Sequence, residues 1–320
     1  MMIMSLTSFN GAIELGLIYA LMALGVYITY RILDFPDLTV DGSFTTGAGI
    51  SVIMIGQGYP ALIATLAGMA GGMIAGACTG LLHTKGKING LLAGILMMIA
   101  LYSINLRIMD KPNLPVKVQE GLFGGIVRSD GFSLGGVSWL YAAVLVVVIL
   151  FVWQLLVAFF NTDMGLSLRA TGDNKRMIRS FGGNTDRTTI IGVSLSNGLV
   201  ALSGALIAQD AGFADISMGI GMIVIGLASV IIGEAIFGSR GILVTTLAVI
   251  VGAVVYRVVI AAALHAEFLN LKTSDLKLIT AAIVIVALVV PTVNRSLKQK
   301  RQARRRTAEL AGVVPGKGEL

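Results

Sequence analysis

The sequence predicts an all-α fold: a polytopic transmembrane helical bundle of about 8–10 spans, with room for one broken or re-entrant segment. Three observations carry that prediction. Only 13% of the 320 residues are charged and 56% are hydrophobic, with a mean hydropathy of +0.88, whereas a soluble domain uses about a quarter charged residues. The charges cluster and leave long apolar runs, such as Leu140–Phe160 and Leu276–Val290. Those runs are continuous rather than alternating, which selects helices over a barrel. A hydrocarbon layer about 30 Å thick needs about 20 residues at about 1.5 Å each, with every peptide group bonded inside its own segment.

In chain order the spans fall near residues 11–32, 38–56, 60–82, 88–109, 137–160, 187–210, 217–237, 241–264 and 276–293. The first run is too long for the core of a cleavable leader and has no basic flank, so it reads as a span. The chain has 40 glycines; those of Gly68-Met69-Ala70-Gly71-Gly72 and Gly76-Ala77 form a face on which helices can approach closely. Cys78 lies inside the same apolar run and reads as a small buried hydrophobe. Segment 217–237 is the glycine-rich one, and the candidate for a broken or re-entrant helix.

Orientation follows the basic residues. The tail carries Arg295, Lys298, Lys300, Arg301, Arg304, Arg305 and Arg306, which places 295–320 in the cytoplasm as a disordered or headgroup-bound end. Residues 1–294 then form the membrane domain. Counting back puts Lys85, Lys87 and the loop 161–189 on the same side, and leaves 110–136, 265–275 and the N-terminus outside. The net charge of +7 is accounted for by this bias, without a nucleic-acid partner.

Three places depart from plain lipid anchor. The first is Asp34-Phe35-Pro36-Asp37-Leu38-Thr39, followed by Asp41, Ser43, Thr45 and Thr46. Pro36 ends a helix, and Asp37 or Thr39 caps the next one, whose start favours carboxylates. Such a polar start beside a break is either a site on a discontinuous helix or an interfacial turn. The second is the loop 161–189, where Asp173 or Thr171 caps a short helix with Met177, Ile178 and Phe181 on one face. Gly182-Gly183 ends that helix, and Asn184 or Thr185 caps the next span. A docking helix for a cytosolic partner and a helix lying in the headgroups both fit. The third is the set Glu14, Arg107, Asp210, Glu234 and Arg257. Charges deep in a span face protein or water, and Glu234 and Arg257 meet only if 217–237 is broken.

The catalytic inventory is thin. His83 and His265 fall at opposite sides, no His/Cys/carboxylate group has metal-ligand spacing, and the phosphate-loop pattern GxxxxGK[ST] is absent. An enzyme is the weakest reading. An ion-coupled carrier using the break, with Glu234 as relay, stands beside an ATP-driven importer and a structural subunit.

Three stretches resemble the permease subunits of ABC importers of the branched-chain amino acid and ribose type. They are Asn10-Gly11 with Gly16–Gly25, Arg169–Asn174 with Ser196–Ala205, and Gly233 with Phe237–Gly241. The resemblance implies an importer subunit in a bacterial plasma membrane. It implies docking on two copies of an ATPase subunit through Gly172, Asp173, Asn174, Met177, Ile178, Phe181 and Gly182. Mg-ATP is expected in that partner and no cofactor in this chain, with a second permease copy, a solute-binding protein and a small-molecule substrate completing the system. A translocation path at Asp37, Asp41, Ser43, Thr45, Thr46 and Glu234 is the accompanying expectation. Within the family the chain resembles the single-permease branch associated with aromatic amino acids, although Asp37 and Asp41 are more acidic than the branched-chain pattern.

Overall fold

The computed structural model describes residues 6–124, 133–134, 137–238 and 241–264, with positions 281, 282, 285 and 289 helical. The span expected at 276–293 and the tail 295–320 therefore lie outside the described residues, apart from those four positions. Helix α1 (Leu6–Tyr27) runs on through a π turn (Ile28–Ile32). It is followed by α2 (Thr39–Gly56), α3 (Ala61–Thr84), α4 (Gly90–Met109) and α5 (Leu140–Phe160). Two short helices come next, α6 (Asp163–Asp173) and α7 (Lys175–Ser180), then α8 (Thr185–Ala211), α9 (Met222–Phe237) and α10 (Ile242–Leu264). Short strands β1 (Asn113–Pro115), β2 (Ser133–Leu134), β3 (Val137–Ser138) and β4 (Phe213–Asp215) pair as β1 with β4 and β2 with β3, both antiparallel. The protein is an all-α, multi-pass membrane bundle.

Six of the described helices are long and apolar enough to cross a membrane: α1 with its π turn, α3, α4, α5, α8 and α10. Helix α2, with Asp41, Ser43, Thr45 and Thr46 in its first two turns, is less apolar. It is surrounded by protein, and Ser43, Thr45 and Thr46 are buried. The segment expected to span from 217 instead becomes helical only at Met222, and α9 has 16 residues, about 24 Å of helix. The physical reason is the run Phe213–Gly221, which leaves the far end of α8 as a strand and a series of turns before α9 can start.

The core is built on α1 and α8, which cross antiparallel. Ser203 Oγ donates to the Ile18 carbonyl at 2.9 Å and Ser196 Oγ to the Gly25 carbonyl at 2.7 Å. Around them the two halves of the chain repeat. Helix α3 packs along α8 as α10 packs along α1, while α2 pairs with α3 as α9 pairs with α10. The two breaks match in detail. Aligning Phe35 with Phe213 pairs Asp37 with Asp215, Leu38 with Ile216 and Thr39 with Ser217. Asp37 Oδ1 accepts from the Thr39 N–H at 2.9 Å, and Asp215 Oδ1 accepts from the Ser217 N–H at 2.8 Å. The residue before each phenylalanine, Asp34 or Gly212, has positive φ. Because α1 and α8 run in opposite directions, the repeat is inverted, the arrangement on which many transporters are built.

The small-residue face of α3 is used as its composition predicts. Gly68 lies against Gly47 of α2, and Gly72 and Gly76 lie against the α8 backbone at Asn197 and Val193. Cys78 is half-buried rather than enclosed. A Cβ at position 72 would come within 2.5 Å of the Asn197 carbonyl oxygen. Gly72→Leu is therefore expected to force α3 off α8 and to cost at least about 1–3 kcal/mol, the usual scale of overpacking. Thermal unfolding of the detergent-solubilised protein measures this, with Ile74→Leu, at an exposed position of the same helix, as the silent control.

Candidate functional site

The end of the bundle that carries α6 and α7 is called the near end here, and the end that carries β1 and β4 the far end. At the near end α1 finishes in the π turn, where the Leu33 N–H reaches the Ile28 carbonyl at 3.0 Å and the Phe35 N–H reaches that of Thr29 at 2.9 Å. Pro36 then keeps the chain out of a helix until the turn at Leu38, where α2 begins. Asp37, not Thr39, caps that start through the Thr39 amide. The second oxygen of Asp37 accepts from Asn197 Nδ2 at 2.6 Å, and Asn197 Oδ1 accepts from Ser43 Oγ at 2.7 Å. The Thr39 and Thr79 hydroxyls meet at 2.8 Å. Higher on α2, Thr46 Oγ1 lies 2.8 Å from Asn105 Oδ1, and Asn105 Nδ2 donates to the Gly42 carbonyl at 3.1 Å. Asp37, Ser43, Thr46, Asn105 and Asn197 are all buried. The group is a closed polar network clamping the start of α2 to α3, α4 and α8.

Asp41 does something different. Its carboxylate leaves its own helix and caps α9, accepting from the Gly221 N–H at 2.8 Å and the Ile223 N–H at 2.9 Å. Gly219 sits directly on the Asp41 carbonyl and the Thr45 hydroxyl, so close that a Cβ would overlap both. The starts of α2 and α9 thus meet inside the bundle. Asp41 and Gly219 are also equivalent positions in the repeat, so its pseudo-two-fold axis passes between them.

The remaining charged residues settle separately. Glu234, near the end of α9, pairs with Arg31 of the π turn at 2.9 Å. It does not meet Arg257, although the segment before α9 is broken. Arg257 lies toward the far end of α10, with its guanidinium 4.4 Å from the centre of the Tyr19 ring, while Glu234 is held at the near end. Glu14 accepts from Asn10 Nδ2 at 2.8 Å and Asp210 from the Tyr141 hydroxyl at 3.0 Å.

The loop 161–189 folds into two helices rather than one. Thr162 caps α6 through the Gly165 amide, and Asn174 caps α7 through the Met177 amide at 3.0 Å. The cap is thus one residue later than Asp173. Thr171, the other expected cap, is buried and bonds back to the Ser167 carbonyl. Gly182, with φ of +81°, closes α7, and Asn184 caps α8. Arg179 bonds Thr185 and Asp186 and so ties α7 to the α8 start. Met177 is 46% and Phe181 81% exposed, whereas Leu168 is fully buried. Gly172 rests on Ile32 and Leu33 at the end of the π turn. A cleft of about 940 Å³ opens beside α7, lined among others by His83, Lys87, Lys175 and Asp186.

The sequence reading missed Asn105, Asn197 and Gln209. Gln209 Nε2 donates to Ser51 and Thr65, and its Oε1 accepts from the Leu122 amide. Their one visible signal was an amide side chain in the middle or at the end of an apolar helix.

An inverted repeat of membrane helices with two breaks meeting in its middle defines a transporter-like class. A family model described as the permease component of branched-chain amino acid transport systems matches residues 9–294. The chain belongs to this family of ABC-type permeases. It is 44% identical over 285 residues to a tyrosine transport system permease protein of Clostridioides difficile, covering 89% of this chain and 91% of the relative. It is 26% identical over 206 residues to the ribose import permease protein RbsC of Escherichia coli K12, covering 63% and 58%.

Replacing Asn197 by leucine keeps the volume but leaves one oxygen of Asp37 and the Ser43 hydroxyl without their partner, Asp37 retaining the Thr39 amide. The expected loss is about 1–3 kcal/mol for each buried group left unsatisfied. Asp37→Asn in the same background should recover part of it. Thermal unfolding of the single and double variants measures both effects.

Proposed function

We propose that this chain is the membrane-spanning subunit of an ATP-driven importer for an amino acid, with aromatic amino acids the favoured substrates. Two copies form the translocation path, two ATPase subunits dock at the near end, and a solute-binding protein delivers substrate at the far end. The near end is cytoplasmic and the membrane is the bacterial plasma membrane. Residues 1–294 act as the permease domain and 295–320 as a basic tail at the headgroups. Mg-ATP is bound and hydrolysed by the partner.

The observation that carries this reading is the shape of the 161–189 segment within a permease-family chain. Met177 and Phe181 face outward, Arg179 anchors α7 to α8, and Gly172 seats α6 on the π turn. Gly172, Asp173, Asn174, Met177, Ile178, Phe181 and Gly182 form the coupling element, and the cleft beside α7 offers room for the partner's surface. An ion-coupled carrier would have no use for two large apolar side chains left uncovered at a helix that contacts little else. The substrate class rests on the tyrosine permease, which is similar along nearly the whole chain.

The path runs past the start of α2. Asp41 borders it with Thr45 behind, beneath Gly219; Asp37, Ser43 and Thr46 hold that start in place, and Glu234 with Arg31 closes the cytoplasmic end. In operation, ATP and the loaded binding protein favour different conformations of the dimer, and transport follows the shift between them.

Affinity purification from gently solubilised membranes should recover an ATPase subunit in stoichiometric amount. Phe181→Asp should abolish ATP-driven uptake and that co-purification while leaving the permease folded. Uptake that persists when ATP is depleted and collapses with an ionophore would overturn the reading. Asp41→Ala should abolish uptake with the ATPase still bound, because the α9 start loses its anion; normal uptake would remove Asp41 from the path.

A further inference from the structure

The break before α9 is open on one side, and its depth restricts what can cover it. Ser217 is exposed, Ile220 is 58% exposed, Gly221 is half-buried, and Val224, one helical turn beyond Ile220, is 37% exposed. Beneath them Gly219 is buried against Asp41 and Thr45. Thr45 lies 56 − 45 = 11 residues from the far end of α2, which is about 16 Å along a helix. Half of a hydrocarbon layer is about 15 Å. Ile220 therefore lies near the bilayer centre.

The backbone at this depth is not helical. The amides of Met218, Ile220 and Met222 make turn bonds to the carbonyls of Asp215, Ser217 and Gly219, each at 3.1 Å. Irregular backbone is not stable against lipid and occurs at membrane depth only against protein or a water-filled cavity. The first break lies at the near end, where Leu33, Phe35 and Asp37 are buried and Asp34 and Pro36 are exposed. The second is exposed at mid-depth instead. Its exposed residues are a hydroxyl and two apolar side chains beside the half-buried Gly221, and Asp41 fixes its inner side.

We infer that Ser217, Ile220 and Val224 line the aqueous translocation path near the membrane centre, with Ile220 as the apolar constriction that sets the width open to a substrate side chain. This rests on the permease reading above and adds the residues that select by size. Asp41 is the positioning residue: by holding the Gly221 and Ile223 amides it keeps the Ile220 side chain aimed outward.

The test uses the intact transporter with its ATPase, reconstituted in liposomes, in a Cys78→Ser background. Ile220→Cys should react with a membrane-impermeant maleimide applied from the binding-protein side, and the adduct should block uptake. Lys117→Cys, at an exposed far-end position, should also react, and Ile63→Cys, on an exposed apolar face of α3, should not. Ile220→Trp should lower uptake by about tenfold or more, the scale on which a pocket's size discriminates, with assembly and ATPase activity retained. Failure of the Ile220→Cys variant to react, while the Lys117→Cys variant reacts and ATP-driven uptake persists, would mean that lipid or protein covers the break, and the inference falls. Unchanged uptake by the tryptophan variant would overturn the constriction. Loss of ATP dependence in the unmodified protein would instead count against the permease reading, independently of the labelling.

Discussion

Two helices that begin inside a membrane bring two partial positive charges, about half an elementary charge each, to one low-dielectric point. In this protein the starts of α2 and α9 meet there, and the Asp41 carboxylate lies between them, part of the first turn of one helix and bonded to the leading amides of the other. Without that anion the two dipoles would repel and the leading amides of α9 would lose their bonded partner. The rest of the architecture accommodates this meeting. Gly219 permits the close approach, the α1–α8 crossing holds the two halves together, and the Asp37–Asn197–Ser43 network anchors α2 from below.

The first break was legible because proline leaves a strong local mark, and the polar residues after Pro36 announced a helix start. Its equivalent was far less so. In the second break alanine replaces the proline and glycine replaces Asp41, leaving Phe213, Asp215 and Ser217 as a match too short to detect by eye. The glycine content of 217–237 signalled a break but not that α9 would start as late as Met222. Which helix Asp41 would cap was beyond a local reading, since its partners are 180 and 182 residues away in sequence. Asn197 and Asn105 were hidden for a related reason: one amide in an apolar helix has no meaning until the carboxylate or hydroxyl across from it is known.

The loop 161–189 was legible as a surface element because its apolar residues fall on one face among many charges. Its division into two helices was not, since that depends on Asn174 outcompeting Asp173 for the α7 cap and on Thr171 bonding back within α6. Membrane proteins invert the usual weight of residue types. Large apolar side chains such as Ile63 and Phe151 face outward, although others, Phe44 and Phe160 among them, are fully buried, and glycines, serines and amides make the closest contacts between helices, consistent with the small-residue packing of membrane helices.

The contact between Gly172 and Ile32 has a mechanical meaning. Side chains at an interface can rotate through rotamers and absorb a displacement, but here one backbone rests on another with no side chain between them. The joint is stiff under compression. A displacement of α6 therefore bears directly on the π turn, and the π turn leads into the break that starts α2. A single methyl group at position 172 would act as a spacer, lifting α6 away and leaving the two parts of the molecule mechanically slack.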